Sequence, residues 1–137
     1  KNETLKFPRQ TQGKNLCLSD YIHPEKEDCL GLLVVSVGEG LKTSLDQLKK
    51  RKKYQLILAL HALCMESAEA LAEKVHYDMR KQLGIQEKRL EIQNIVQAQY
   101  KGKRYSFGYS ACPNLEDQQI LFRLLDPEKI GSFVFQP

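Results

Sequence analysis

Gly102-Lys103-Arg104-Tyr105-Ser106-Phe107-Gly108-Tyr109-Ser110-Ala111-Cys112-Pro113 packs two glycines, a proline, three aromatics and an arginine into a dozen residues. They follow neither the 3.6-residue period of a helix nor the two-residue alternation of a strand, which marks an irregular loop with a particular backbone task. The residue types point to a ligand. Glycine at 108 lets main chain approach a bound molecule, Arg104 offers a planar fork of donors for a carboxylate or phosphate, and Tyr105, Phe107 and Tyr109 offer faces for a flat ring or a cation. The competing reading is a structural loop whose arginine pairs with a neighbouring acid and whose aromatics fill a core.

Outward from this loop, the chain reads as ordinary globular protein. Its 137 residues suffice for one domain, with 42% hydrophobic and 28% charged residues, a balance that excludes disordered and fibrous classes. Much of the net charge of +4 comes from one run, Lys49 to Lys53, which reads as a solvated helix face or as a patch for an acidic partner. Four cysteines (Cys17, Cys29, Cys64, Cys112) lie far apart, without Cys-x-x-Cys pairs or histidines at zinc-ligand spacing. With no apolar run of about 18 residues and no signal peptide, the expectations are reduced thiols, a cytoplasmic location and no membrane. The opening Lys1-Asn2-Glu3-Thr4 lacks an initiator Met, so a fragment of a larger protein is expected.

In chain order, residues 16–22 are expected to form a short strand, and residues 30–37 (Leu30-Gly31-Leu32-Leu33-Val34-Val35-Ser36-Val37) a central one, because the run is rich in β-branched groups. Thr43 or Ser44 would cap a helix reaching about Lys53. A longer helix is expected over 54–83: Ile57, Leu60, Cys64, Ala68, Leu71 and Val75 recur at steps of three and four, and Gly84 stands where a C-terminal cap belongs. Glu66, Glu69, Glu73, His76 and Arg80 form a polar stripe beside it. A further helix is expected over about 86–99. After the loop, Asn114 would cap a helix carrying Leu115, Ile120, Leu121, Leu124 and Leu125 and stopping at Asp126-Pro127, and residues 132–136 alternate like a strand.

Two other patterns are weak. Gly38-Glu39-Gly40 follows an apolar run as in nucleotide-binding crossovers, but the third glycine is missing and no ribose-binding acid follows at the required distance. Cys112 stands just before a helix N-terminus, where a thiolate would be stabilised; a small buried residue is the better reading, since no base is identifiable.

The decisive loop resembles the Arg-x-x-x-Gly-Tyr-Pro-Ala-Cys-Pro signature of the activation domains of cobalamin-dependent methionine synthases. Leu16-Cys17-Leu18-Ser19-Asp20-Tyr21-Ile22, Ala68-Glu69-Ala70-Leu71-Ala72-Glu73-Lys74-Val75-His76 with Arg80, and Leu121-Phe122-Arg123-Leu124-Leu125 agree in the same order. The resemblance covers residues 7–131. It implies one α+β domain over 1–137, with a twisted, largely antiparallel sheet flanked by helices, that binds S-adenosylmethionine. The family's role is reactivation. When cobalamin on a partner domain is oxidised to cob(II)alamin, the domain presents S-adenosylmethionine, and an electron from a flavodoxin-type donor together with the ligand's methyl group restores the methylated cofactor.

By this resemblance Arg104 holds the ligand's carboxylate, backbone around Ser106 and Gly108 contacts the adenosyl part, Tyr109 lines the site and Glu69 supplies an acid. The implied partners are the cobalamin-binding domain and the flavodoxin-type donor, with no nucleic acid. The chain is not expected to be catalytic alone, because motifs for holding cobalamin or a homocysteine-activating zinc are absent. Ser110 departs from the signature proline, and Ala98 stands where the family carries an acid, which implies weaker ligand binding. The alternative function is a non-catalytic interaction domain of the same fold that uses Lys49 to Lys53 to dock an acidic partner.

Overall fold

The computed structural model describes residues 2–38, 40–85 and 91–129. Among the described residues there are four α-helices: α1 (Gly40–Lys50), α2 (Tyr54–Gln82), α3 (Ile92–Val96) and α4 (Gln118–Leu125). Short 3₁₀ turns cover Leu18–Tyr21, Leu115–Asp117 and Pro127–Lys129. Among the described residues there is no strand, only an isolated antiparallel bridge between Tyr109 and Cys112. The expected α+β fold with a largely antiparallel sheet is therefore corrected to a helical architecture.

Two of the three expected strands fail, for different reasons. At residues 16–22 the chain coils instead of extending, because Asp20 N–H donates to the Cys17 carbonyl at 3.0 Å and Ile22 N–H to that of Ser19 at 3.3 Å. Ser and Asp favour such local bonding over a ladder. Residues 30–37 have the right composition but no regular structure, and Leu30 and Val37 are exposed. A β-branched run becomes a strand only where a neighbour takes its N–H and C=O groups and covers its face. The alternating residues 132–136 lie outside the described residues.

The chain divides into two compact units, residues 33–102 and residues 1–32 with 103–137. In the first, α1 packs on α2. Helix α1 starts before the expected caps, so Thr43 and Ser44 lie inside it. It ends in a reversal: Lys53 N–H donates to the Leu48 carbonyl and Lys52 N–H to that of Lys49, both at 3.0 Å, with Lys52 left-handed at φ 53°. Helix α2 matches its expected span and ends the same way, with Ile85 N–H on the Arg80 carbonyl at 2.9 Å and Gly84 N–H on that of Lys81 at 3.1 Å. Gly84 has φ 74°, a conformation that costs glycine little. Of the helix expected over 86–99, residues 86–90 lie outside the described residues and the remainder holds α3 over Ile92–Val96, which repeats the motif with Ala98 at φ 50°.

The expected apolar stripe of α2 is only partly covered. Ile57, Leu60, Cys64, Ala68 and Val75 are half-buried, Leu71 is exposed, and Ala72, His76 and Arg80 are buried. Tyr54, Leu56, Leu58, Leu63 and Met65 are exposed. Contrary to the expected absence of such a run, α2 is long and apolar enough to cross a membrane by length and composition, a property that core helices share.

In the second unit, residues 9–20 form a closed loop. Gln10 N–H donates to the Leu16 carbonyl at 2.9 Å, and the two terminal nitrogens of the Arg9 guanidinium donate to Asp20 at 2.6 and 2.7 Å. The expected polar connection at 23–28 is tied by Asp28, which accepts from His23 N–H at 2.9 Å and Cys29 N–H at 2.8 Å. Those bonds hold the Asp28 carboxyl below the usual range. Asn114 caps as expected: its Oδ1 accepts from Glu116 N–H at 3.2 Å and its Nδ2 donates to Asp117 Oδ1 at 2.8 Å. Arg123 on α4 donates to Glu3 at 2.9 and 3.1 Å. On α4, Ile120, Leu121 and Leu124 are half-buried, while Leu115 before it and Leu125 at its end are exposed.

Candidate functional site

The signature loop closes on itself. Gly108 N–H donates to the Cys112 carbonyl and Cys112 N–H to the Tyr109 carbonyl, each at 2.9 Å, so residues 108–112 form a tight reversal. Gly108 sits at φ 88°, and a Cβ built there would lie 3.1 Å from Leu115 Cδ1. The position thus needs glycine for its conformation and, to a lesser degree, for space.

Cys112 fastens the reversal from inside. Its thiol is 4% exposed and donates to the Ser106 carbonyl at 2.8 Å. Burial, with the Asp117 carboxylate nearby, pushes the thiol above its ordinary value. A thiolate nucleophile is thus disfavoured, and the reading as a small buried residue holds. Cys17, also buried, makes the equivalent bond to the Phe7 carbonyl at 3.2 Å.

Around this frame the candidate residues take different positions. Arg104 is half-buried and Ser106 exposed. Tyr109 is 71% exposed, a broad face open to solvent. Tyr105 packs on Tyr21 with ring centroids 6.2 Å apart, and a hydrogen bond between the two hydroxyls, with partial burial, raises its pKa. Phe107 is half-buried. Arg104, Ser106, Gly108 and Tyr109 thus share the loop, whereas Glu69 is an exposed residue of α2 in the other unit.

An open concavity of about 590 Å³ borders the same loop, between residues 8–13, Ser110 and Pro113. Gln10 Nε2 donates to Ser110 Oγ at 3.3 Å across it. Arg104, Ser106, Gly108 and Tyr109 do not line it.

The donor set suits a zwitterionic, ring-bearing ligand. A guanidinium can take a carboxylate, exposed main chain at Ser106 and Gly108 can meet a nucleoside, and an open tyrosine face can stack on a ring or meet a cation. Among the described residues no group of three His, Cys, Asp or Glu could hold a metal ion.

One cluster escaped the sequence reading. Glu73, His76 and Arg80 were legible as part of a polar stripe, yet His76 and Arg80 are 7% and 3% exposed. The Arg80 guanidinium lies 3.8 Å from the Tyr100 ring centroid, His76 meets that ring edge-on at 5.5 Å, and Tyr100 Oη donates to Glu73 at 3.0 Å. The available signal was a histidine and an arginine at helical spacing beside a stripe of alanines, which leaves room for a covering aromatic.

The family described as "Vitamin B12 dependent methionine synthase, activation domain" matches residues 2–134. Proteins named "Methionine synthase" from Mycobacterium leprae and from Mycobacterium tuberculosis are each 32% identical over 139 aligned positions, covering 91% of this chain. The chain spans 12% of the length of each. The match runs through all the described helices and the signature loop, and the chain belongs to the family of activation domains of vitamin B12-dependent methionine synthases.

Proposed function

We propose that this chain, acting as one activation domain over 1–137, binds S-adenosylmethionine and presents it for reductive methylation of cobalamin held by a separate cobalamin-binding domain. The observation that supports the reading is the loop itself, which carries a half-buried Arg104, the open ring of Tyr109 and a glycine-dependent reversal at 108–112. Arg104 binds the ligand's carboxylate through a charge-assisted pair, main chain at Ser106 and Gly108 meets the adenosyl part, Tyr109 walls the site, and Glu69 offers its carboxylate to the cationic end. The bound ligand supplies a methyl group activated on a sulfonium. The chain's own residues bind and orient it, and Cys112, kept as a buried thiol, holds the loop and takes no part in transfer. A flavodoxin-type donor supplies the electron, and the setting is cytoplasmic. The chain is not an enzyme alone; it is one part of a methyltransferase.

Calorimetric titration with S-adenosylmethionine tests the reading. Arg104→Ala is expected to weaken binding by roughly tenfold to a hundredfold, the loss of a bond worth about 1.5–3 kcal/mol. Equal affinity in wild type and variant contradicts the role of Arg104.

A second reading is favoured by the exposure of Lys49 to Lys53 and of the apolar residues that follow on α2. In it the chain is an interaction domain that docks an acidic partner and binds no ligand. Partner capture unaltered after replacement of all five basic residues by glutamine contradicts that reading.

A further inference from the structure

The segment that leads into the signature loop is gripped by a buried cation. Arg80 is almost fully enclosed, and its guanidinium lies against the face of Tyr100 at 3.8 Å, at the distance of a strong cation–π contact. Tyr77 stands at 5.9 Å from the same group, and Glu73, at 4.0 Å, supplies the opposing charge. Glu73 also accepts from the Tyr100 hydroxyl at 3.0 Å, so one carboxylate serves both members of the stack. His76 meets the edge of the ring. A buried guanidinium is tolerated only when stacking and pairing replace its hydration.

Two residues further on, Gly102 turns the chain at φ 71°, and a Cβ there would lie 3.2 Å from Ile85 Cδ1 and 3.3 Å from Arg80 Cδ. The backbone of residue 102 is therefore seated on the aliphatic stem of the arginine whose head is stacked on residue 100. Ile85 belongs to the reversal that ends α2, where its N–H is held by the Arg80 carbonyl. Arg80 thus contacts the incoming strand of chain at both Tyr100 and Gly102, while its own backbone holds the end of α2. Residue 104 follows after one intervening residue.

The geometry points to Arg80, with Tyr100 and Gly102, as a positioning device for the ligand-binding loop: the stack fixes where and in which direction the chain enters the segment that carries Arg104. This inference rests on the proposed binding of S-adenosylmethionine for its functional meaning, while the clamp itself is testable without ligand. Lysine at position 80 keeps the charge and loses the planar face, and alanine at position 102 adds a Cβ against the arginine stem.

The experiment is site-resolved amide hydrogen exchange on the full chain, paired with titration of S-adenosylmethionine. Arg80→Lys and Gly102→Ala are expected to speed exchange across residues 101–108 by about tenfold while leaving α1 and α4 unchanged, and to weaken ligand binding by about tenfold. Tyr100→Phe, which keeps the ring under the guanidinium, is expected to stay within about threefold of wild type in both measurements, and Tyr100→Leu to behave like Arg80→Lys. Exchange that is unchanged, or that rises evenly over the whole chain, overturns the clamp. Faster local exchange with unaltered affinity overturns its positioning role. If wild type takes up no S-adenosylmethionine while the exchange pattern appears as expected, the clamp stands and the proposed ligand falls.

Discussion

The thiol of Cys112 donates to the Ser106 carbonyl from a site shielded from solvent, and the same is true of Cys17 and Phe7, so two of the four cysteines act as short polar fasteners of loops. Cys29 is exposed and Cys64 half-buried. Alkylation at pH 8 should therefore modify Cys29 first and Cys64 next, with Cys17 and Cys112 at least about tenfold slower, as read by mass spectrometry of timed samples. Modification of Cys112 at the rate of Cys29 would contradict its burial. The pH dependence has a definite sign. Burial raises the Cys112 pKa above that of the unfolded thiol, so the stability it contributes is complete below the unfolded value and is lost as pH rises through the folded one. The position of Cys112 before a helix start was legible in the sequence, but a helix N-terminus alone does not tell a stabilised thiolate from a buried donor. The decision came from a carbonyl six residues earlier, which depends on how the loop closes.

Helices α1, α2 and α3 end in the same hydrogen-bonded reversal with a left-handed residue, filled by Lys52, Gly84 and Ala98 respectively. Only the second carries the glycine that announces such an ending, which is why the end of α2 was legible from sequence and those of α1 and α3 were not. A side chain at positive φ carries a steric cost that glycine avoids. Ala98→Gly and Lys52→Gly are each expected to stabilise the fold by about 0.5–1 kcal/mol, a rise of about 2–5 °C in thermal midpoint. A fall in midpoint would contradict the reversal at that position. The same residues limit what the sequence could say about strands. At 16–22 the Ser19-Asp20 pair gave the backbone a local alternative, and at 30–37 the composition of a strand was present without a partner among the described residues. Periodicity placed α2 and α4 well because a helix satisfies its backbone within itself, whereas a strand is a property of its neighbours.

At the scale of the molecule, family membership was legible chiefly in one loop, whose Gly108 and buried Cys112 are dictated by a backbone that closes on itself. The polar stripe of α2 was legible as a spacing but not as a division of labour: Glu69 stays at the surface, while His76 and Arg80 are buried in the cluster around Tyr100. With 12% of its relatives' length, the chain carries the loop and these helices but not the whole of a methionine synthase. The proposed function requires that the loop at 104–109 receive S-adenosylmethionine. Two-dimensional ¹H–¹⁵N spectra recorded while S-adenosylmethionine is added test it most directly. Saturable shifts of the amides of Arg104, Ser106, Gly108 and Tyr109 are expected, with Glu69 responding at the same ligand concentration and the response abolished or weakened about tenfold or more in Arg104→Ala. Saturating ligand that leaves residues 104–109 unmoved would contradict it.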